Sequence, residues 1–272
     1  MSGRHVPIIT LTTDFGTQDH YVGSVKAAIL SVAGDIRIVD ITHEIPAHDV
    51  VQAALILRNV FNEFPRDTVH IAVTDPGVGT QRRAIVAVTE NYRFVGPDNG
   101  IFSLCFEIEP PSRVIAITAR HYMRAKTSPT FHARDIFAPV AAHIARGADP
   151  GNLGEAVEDP ACLEQIWPAT TSEGTIRARA IHIDRFGNIV LNVTRRALEG
   201  ALARVGSERV TARVGRNRVE RIVMTYGEAP PGVPCLLWNS ASLLEIAINR
   251  QRASDVLHVS VGDAIDILPV RA

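Results

Sequence analysis

The chain has 272 residues, 46% hydrophobic and 21% charged, with a formal net charge of -1. That profile fits a globular protein with core enough for one large domain or two modest ones. It gives no bulk electrostatic support for binding nucleic acid or a membrane surface, and no run approaches the ~18 apolar residues of a membrane span.

The first half alternates short β-branched runs with longer amphipathic segments. PIITLTT (7–13) reads as a buried strand ending at the turn Asp14-Phe15-Gly16, and 19–33 as a helix with Tyr21, Val25, Ile29 and Val32 at helical spacing. IRIVDI (36–41) is a second strand, 49–63 a second helix, TVHIAV (68–73) a third strand and RAIVAVT (83–89) a fourth. YRFVGPDNG (92–100) ends in a turn, RVIAIT (113–118) is another strand, and 135–147 is a helix stopping at Gly147. This alternation predicts a Rossmann-like, mostly parallel sheet covered on both faces. Ligands of such sheets sit beyond the carboxyl ends of the strands, where Asp14, His43, Asp75 and Asn99 all fall.

The texture changes from residue 148 onward. Glycines and prolines with few periodic apolar positions make 148–174 read as connecting chain. The α/β domain is assigned to 1–160, the connection proper to 161–174 and a second domain to 175–272. In that last part the short runs TIRARAIHI, NIVLNV, RVTARV, RVERIVM, PCLLW, SLLEIAI and AIDILPV predict an antiparallel β domain, interrupted by one helix around 194–202.

Cys105, Cys162 and Cys235 are odd in number and far apart, with no CxxC pair, which argues against a disulfide framework or a zinc knuckle. The N-terminal MSGRHVPIITL lacks a signal peptide's apolar core and cleavage site. A cytoplasmic protein without a bound cofactor is the expectation.

Two stretches carry chemistry: TDPGVGTQRR (74–83) and TFHARD (130–135). Together they supply an acid, a fixed cation and an imidazole, the parts needed to hold and activate a water molecule. Each piece has an ordinary reading as well. Asp14 could be a turn former or a helix cap. Arg82 and Arg83 could be solvated charges, and strand alternation sends them to opposite faces, so at most one points into a site. The Pro-Gly-x-Gly turn lacks the Lys-Ser/Thr pair of a phosphate loop. His43 and His48 could suggest a metal site with Asp14 and Asp75, but their spacing in a Pro-containing loop is not that of HExxH. Residues 183–192, IDRFGNIVLN, read as a hairpin turn centred on Phe186-Gly187-Asn188.

Seven motifs in order make the set more specific: TLTTDFGTQDHYVG, DITHEIPAHDV, VTDPGVGTQRRAI, VGPDNGIF, TFHARDIFAP, DRFGNIVLN and WNSASLLEIAIN. From about residue 8 to the C-terminus the chain resembles the S-adenosylmethionine hydrolases, or S-adenosyl-L-methionine hydroxide adenosyltransferases, relatives of the fluorinase and chlorinase enzymes. The resemblance implies an N-terminal α/β domain, a C-terminal β-barrel domain and a homotrimer with active sites between subunits. It implies cleavage of S-adenosyl-L-methionine by water, attacking the ribose C5′, to adenosine and L-methionine without a metal.

By the same resemblance the catalytic triad falls on Asp75, Arg82 and His132, and Asp14 is the ribose-binding aspartate. Asn188 recognises adenine, with Asp184 the nearby carboxylate that holds the methionine end in the halogenating relatives. Ser240 and Glu245 lie in the segment contacting the amino acid portion, and Ile248 is near the adenine. Phe131, Phe186 and Tyr226 take aromatic positions around the nucleoside. The buried carboxylate of Asp75 argues against halide as nucleophile, because the halogenating relatives carry a neutral residue there. Ala133 departs from the glycine usual after the triad histidine, and its methyl is expected to crowd the water pocket or to sit at a φ that alanine tolerates poorly. Two other readings stay open: a non-catalytic adenosine or S-adenosylmethionine binding protein, and a metal-dependent phosphohydrolase using Asp14, His43 and Asp75.

Overall fold

Six of the strands form one sheet: Ile8–Thr13 (β1), Arg37–Thr42 (β2), Val69–Val73 (β3), Ala84–Val88 (β4), Arg93–Pro97 (β5) and Arg113–Ala116 (β6). The computed structural model describes residues 6–164 and 166–270, and the chain divides into two compact units, Met1–Leu163 and Glu164–Ala272.

In the first unit the strand order is β2-β1-β3-β5-β4-β6. The β1/β2, β1/β3 and β3/β5 pairs are parallel, whereas β4 runs antiparallel to both β5 and β6. A mostly parallel sheet with one reversed strand is the result. Helices cover both faces, because successive side chains of a strand point to opposite sides. On one face Val69, Ile71 and Val73 meet α1 (Tyr21–Val32) and Ala138–Ala145. On the other, Ala72, Ile85, Ala87 and Phe94 meet α2 (Val50–Arg58) and α3 (Ser103–Phe106).

The helix expected over 49–63 stops at Arg58 and gives way to a 3-10 turn at Phe61–Glu63. The chain leaves the helical region at Val60 (φ -138°, ψ -17°), and Pro65 ends the 3-10 turn that follows by holding Phe64 extended. The helix expected over 135–147 begins earlier, as a π-helical turn at Ala133–Phe137 leading into α4 (Ala138–Ala145). Pro139 has no N–H to give to Asp135, and the Asp135 carbonyl accepts the Arg124 N–H at 3.0 Å instead. Residues 148–163 are not loose: they form a 3-10 turn at Pro150–Leu153, bridge Ala156 to Ile115, and set Leu163 against Gly100.

The second unit is antiparallel. Its elements are Ala169–Thr170 (β7), Ile176–Ile183 (β8), Ile189–Thr194 (β9), Arg195–Val205 (α5), Arg209–Val214 (β10), Asn217–Val219 (β11), Pro234–Trp238 (β12), Leu243–Ile248 (β13), Ala253–Leu257 (α6) and Ala264–Val270 (β14). The strand order β11-β10-β14-β8-β9-β13-β12 is nearly closed by a bridge from Ile222 to Leu236, giving a barrel-like sheet. Inward side chains such as Ile176, Ala178, Leu191, Leu236 and Ile265 fill its core. The run 218–224 is a strand only to Val219; beyond it Glu220 and Arg221 are exposed, and only the Ile222 bridge remains.

Candidate active site

The carboxyl ends of β1, β2, β3 and β5 lie side by side in the sheet and deliver Asp14, His43, Asp75 and Asn99 respectively. Asp75 opens the Pro-Gly-x-Gly turn, and the Val78 N–H returns to its carbonyl at 3.2 Å. Asn99 Nδ2 donates to the Thr74 carbonyl at 2.8 Å and braces the turn from the β5 side. Gly79 has φ +77°, and a Cβ there would stand 2.4 Å from the Pro129 carbonyl oxygen. Only glycine tolerates both the conformation and the approach. That close approach brings 74–83 and 128–132 together.

Reversal of β4 decides where the arginines go. Ala84 pairs antiparallel with Pro97, so β4 starts at the edge where β5 ends. Arg82 therefore reaches back to Asp75, donating from Nε to both carboxylate oxygens at 3.0 Å and from Nη2 to Oδ2 at 2.5 Å. Nη2 also stands 2.7 Å from His132 Nδ1, and the guanidinium lies 5.4 Å from the centre of the Phe137 ring. Arg83 goes elsewhere, donating to Asp98 and Asp159 at 2.6 Å. Of the pair, then, only Arg82 faces Asp75 and His132.

A cleft of about 500 Å³ in this unit is lined by Asp14, Asp75, Phe131 and His132, together with Phe15, Tyr21, His48, Val78, Thr130, Ala133 and Arg134. Phe15, Tyr21 and Phe131 form an aromatic wall, Tyr21 meeting Phe131 edge-on at 5.3 Å. Phe15 and Tyr21 escape the sequence reading, where Tyr21 counts only as a core position of a helix; that it opens α1 directly after the Asp14 turn was the usable signal. Asp14 caps no helix: α1 is preceded by His20 without a side-chain cap, and Asp14 Oδ2 accepts the His48 N–H at 2.9 Å. His48 itself is held at φ +69°, a conformation uncommon for a residue with a Cβ.

His132 is partly buried, and burial followed by the Arg82 charge lowers its pKa, against the raising influence of Asp75 and Asp135. His43 does not join Asp75. Its buried ring meets Thr13 Oγ1 at 2.8 Å through Nδ1, and its Nε2 is 3.2 Å from Asp40 without the alignment of a hydrogen bond. Among the described residues no three His, Cys, Asp or Glu side chains are grouped to hold a metal ion. The φ expected for Ala133 needs correction: it is not positive, and the residue opens the π-helical turn, 3% exposed in the core cluster while also lining the cleft. A helical position favours alanine over glycine.

The second unit has its own cleft of about 510 Å³, lined by Asp184, Phe186, Asn188, Tyr226 and Ile248 with Asn249, Arg250, Gln251 and Arg252. Asp184 organises the FGN turn: Oδ1 accepts the N–H groups of Phe186 and Asn188 at 2.9 and 2.8 Å, and Oδ2 accepts Asn188 Nδ2 at 2.9 Å. Among the described residues that leaves the Asn188 side-chain Oδ1 as acceptor and the second Nδ2 N–H as donor for recognition. Phe186 is 73% exposed, an unpacked aromatic at the rim. Glu245 lies beneath the cleft, accepting the Tyr226 hydroxyl at 2.9 Å. Burial raises its pKa, and burial with that hydrogen bond pushes the Tyr226 phenol up to about 12. Ser240 sits apart in the exposed 239–242 turn, where Asn239 Oδ1 accepts the N–H groups of Ala241 and Leu243, each at 3.0 Å.

The chain matches the model of the SAM hydroxide adenosyltransferase N-terminal domain over residues 9–154 and that of the C-terminal domain over 178–266. It belongs to the SAM hydroxide adenosyltransferase family. An (R)-S-adenosyl-L-methionine hydrolase of Thermus thermophilus is 36% identical over 263 residues, covering 94% of this chain and 97% of the relative. A fluorinase of an Actinoplanes species is more distant, at 27% identity over 72% of this chain and 74% of its own length. The crystal structure of an uncharacterized conserved protein from Thermotoga maritima superposes with a TM-score of 0.88 at 34% identity, covering 96% of this chain and 99% of that one. Family membership and this fold agree with the resemblance drawn from the seven motifs. The protein is an enzyme of the hydrolase branch, as its near full-length relatives are.

Proposed function

We propose that this enzyme hydrolyses S-adenosyl-L-methionine to adenosine and L-methionine, with the (R) sulfonium epimer named for its relatives as the preferred substrate. The observation that carries the reading is the Asp75–Arg82–His132 group at the carboxyl end of the sheet, facing a cleft that also holds Asp14. Asp75 is paired with Arg82, whereas Asp14 accepts the backbone N–H of His48, so its carboxylate in the cleft suits a sulfonium substrate.

A sulfonium departs as a neutral thioether, so no acid is needed to protonate the leaving group. The task is to set a water in line with C5′. Arg82 occupies His132 Nδ1 as a donor, which leaves the imidazole proton on Nε2. His132 therefore donates to the water oxygen and orients it. As the C5′–O bond forms and the C5′–S bond breaks, the water must lose a proton. Asp75 is the acceptor among the three, and passes the proton on to solvent. The nucleoside is taken by Asp14 at the ribose and by Asn188, Phe186, Tyr226 and Ile248 in the second cleft. Asp184 and Glu245 support that surface, and Ser240 meets the amino acid portion. No metal or cofactor is required in this scheme.

The enzyme works as a homotrimer in the cytoplasm, with sites between subunits, in which the triad cleft of one protomer meets the FGN cleft of its neighbour. Three free cysteines accord with a reducing compartment. The test is incubation with each sulfonium epimer in chelator-treated buffer, following adenosine by chromatography. Mixing His132→Ala with Asn188→Ala subunits should restore part of the activity lost in each. Absence of adenosine would overturn the reaction, and absence of complementation the intersubunit site.

A further inference from the structure

The loop bearing Asp14 is held from behind by a side chain with no part in the chemistry above. β1 and β2 are parallel, but their register slips: Leu11 pairs with Asp40, whereas Thr12 pairs with Thr42. Such irregularities re-aim side chains near functional sites, and this one carries His43 to Thr13. His43 is 5% exposed, with Nδ1 2.8 Å from Thr13 Oγ1 and Nε2 3.2 Å from Asp40 Oδ1. The other Asp40 oxygen meets Lys26 Nζ at 2.6 Å. Thr13 Oγ1 also accepts the Phe15 N–H at 3.4 Å, and the His43 carbonyl accepts the Gly16 N–H at 2.8 Å.

Proton placement follows from the partners. The Asp40 carboxylate, near Nε2 though not aligned for a hydrogen bond, favours by its charge an N–H there, and with the proton on Nε2 the Thr13 hydroxyl donates to Nδ1. The remaining lone pairs of that hydroxyl then face the Phe15 N–H. Residues 13, 15 and 16 are thus tied to His43, directly or through Thr13, and Asp14 is bracketed between them. The His48 N–H fixes the carboxylate itself. A loop held on both sides spares a ligand the ordering that a free loop would require.

We propose that His43 is a positioning residue for Asp14, acting with Thr13 and Asp40 to fix the β1 loop in its ribose-binding geometry. The proposal rests on the nucleoside role given to Asp14 and makes a different claim from the triad. It is tested with Thr13→Val, His43→Asn, His43→Ala and the double variant Thr13→Val/His43→Ala. Steady-state kinetics with S-adenosyl-L-methionine are paired with adenosine binding by calorimetry.

Loss of a buried hydrogen bond predicts about a tenfold rise in KM and in the adenosine Kd for Thr13→Val and His43→Ala, with kcat little changed. The double variant should be no worse than the weaker single, because both break one chain. His43→Asn, whose amide still reaches Thr13, should recover most of the loss. Multiplying effects, a fall in kcat at constant KM, or a lowered Tm with unchanged KM would each overturn the positioning role. If His43→Ala does not fold, Thr13→Val and His43→Asn decide. If the wild type fails to turn over substrate, the hydrolase reading falls while adenosine Kd still decides this one; no adenosine binding by the wild type would overturn it too.

Discussion

Arg82 Nη2 lies 2.7 Å from His132 Nδ1, and a guanidinium can only donate, so the histidine that faces the cleft is neutral at that nitrogen. Burial and then the Arg82 charge keep its pKa below the ordinary 6.5, with Asp75 and Asp135 pulling the other way. A depressed histidine pKa means the neutral form persists as pH falls below 6.5 and is lost only as pH passes the lowered value. The acid limb of kcat/KM should therefore lie below pH 6.5. In Arg82→Gln the lowering charge is gone and Asp75 remains, so the His132 pKa should move up. A titration followed by NMR of the ring protons checks this, and an unchanged value would break the link between the two residues.

Asp75 and Arg82 have side chains only 6% and 10% exposed. Replacing Asp75 by Asn leaves a buried guanidinium without its counter-charge, a change that typically costs about 3–5 kcal/mol. In the proposed mechanism it also removes the proton acceptor. Asp75→Asn should unfold at clearly lower denaturant and lose about a hundredfold or more in kcat. The wild type in concentrated chloride should yield adenosine and no 5′-chloro nucleoside, since the charge of the Asp75 carboxylate repels a halide. Chromatography of the product distinguishes the two.

Ala133 packs its methyl in the core at a helical position. Ala133→Gly should lower stability by about 1 kcal/mol, seen as a reduced melting temperature, and should leave kcat no higher. A several-fold gain in rate would mean that the methyl does crowd the water.

His70 offers a separate pH effect on stability. It is fully buried in β3, bonded through Nδ1 to Thr10 at 2.8 Å and ringed by Phe61, Phe64, Tyr92 and Phe94. Burial lowers its pKa from 6.5 to about 3. The unfolded chain binds the proton below pH 6.5 and the folded chain does not, so stability is full above 6.5 and falls toward pH 3. One such group contributes a slope of about 1.4 kcal/mol per pH unit in that window. Urea unfolding at pH 7, 6 and 5 for wild type and His70→Phe should show a shallower slope in the variant.

Much of the site could be read from the chain because it hangs on strand ends. Asp14, His43, Asp75 and Asn99 each follow a β-branched run, and period-2 alternation separates Arg82 from Arg83. Strand direction could not be read: the apolar run of β4 looks the same in either sense, and only pairing with β5 and β6 reveals the reversal. The π-helical turn was hidden for a similar reason, since it arises from a carbonyl that Pro139 leaves to Arg124. The backbone at Ala133 was not legible because a motif position carries no φ, and the π-helical turn that sets it depends on Pro139. The apolar spacing that made Tyr21 a core residue describes a helix interior, whereas Tyr21 stands at a helix start beside a cleft.

The reversed strand has a further consequence. In an all-parallel sheet every strand begins at the edge remote from the ligand, so a cation entering a strand and an anion leaving one would lie a strand length apart. Here β3 ends and β4 begins on the same side, and a separation of seven positions between Asp75 and Arg82 suffices to pair them. The Asp75–Arg82 pair is thereby held by the topology of the sheet itself, so its charges are oriented by the fold.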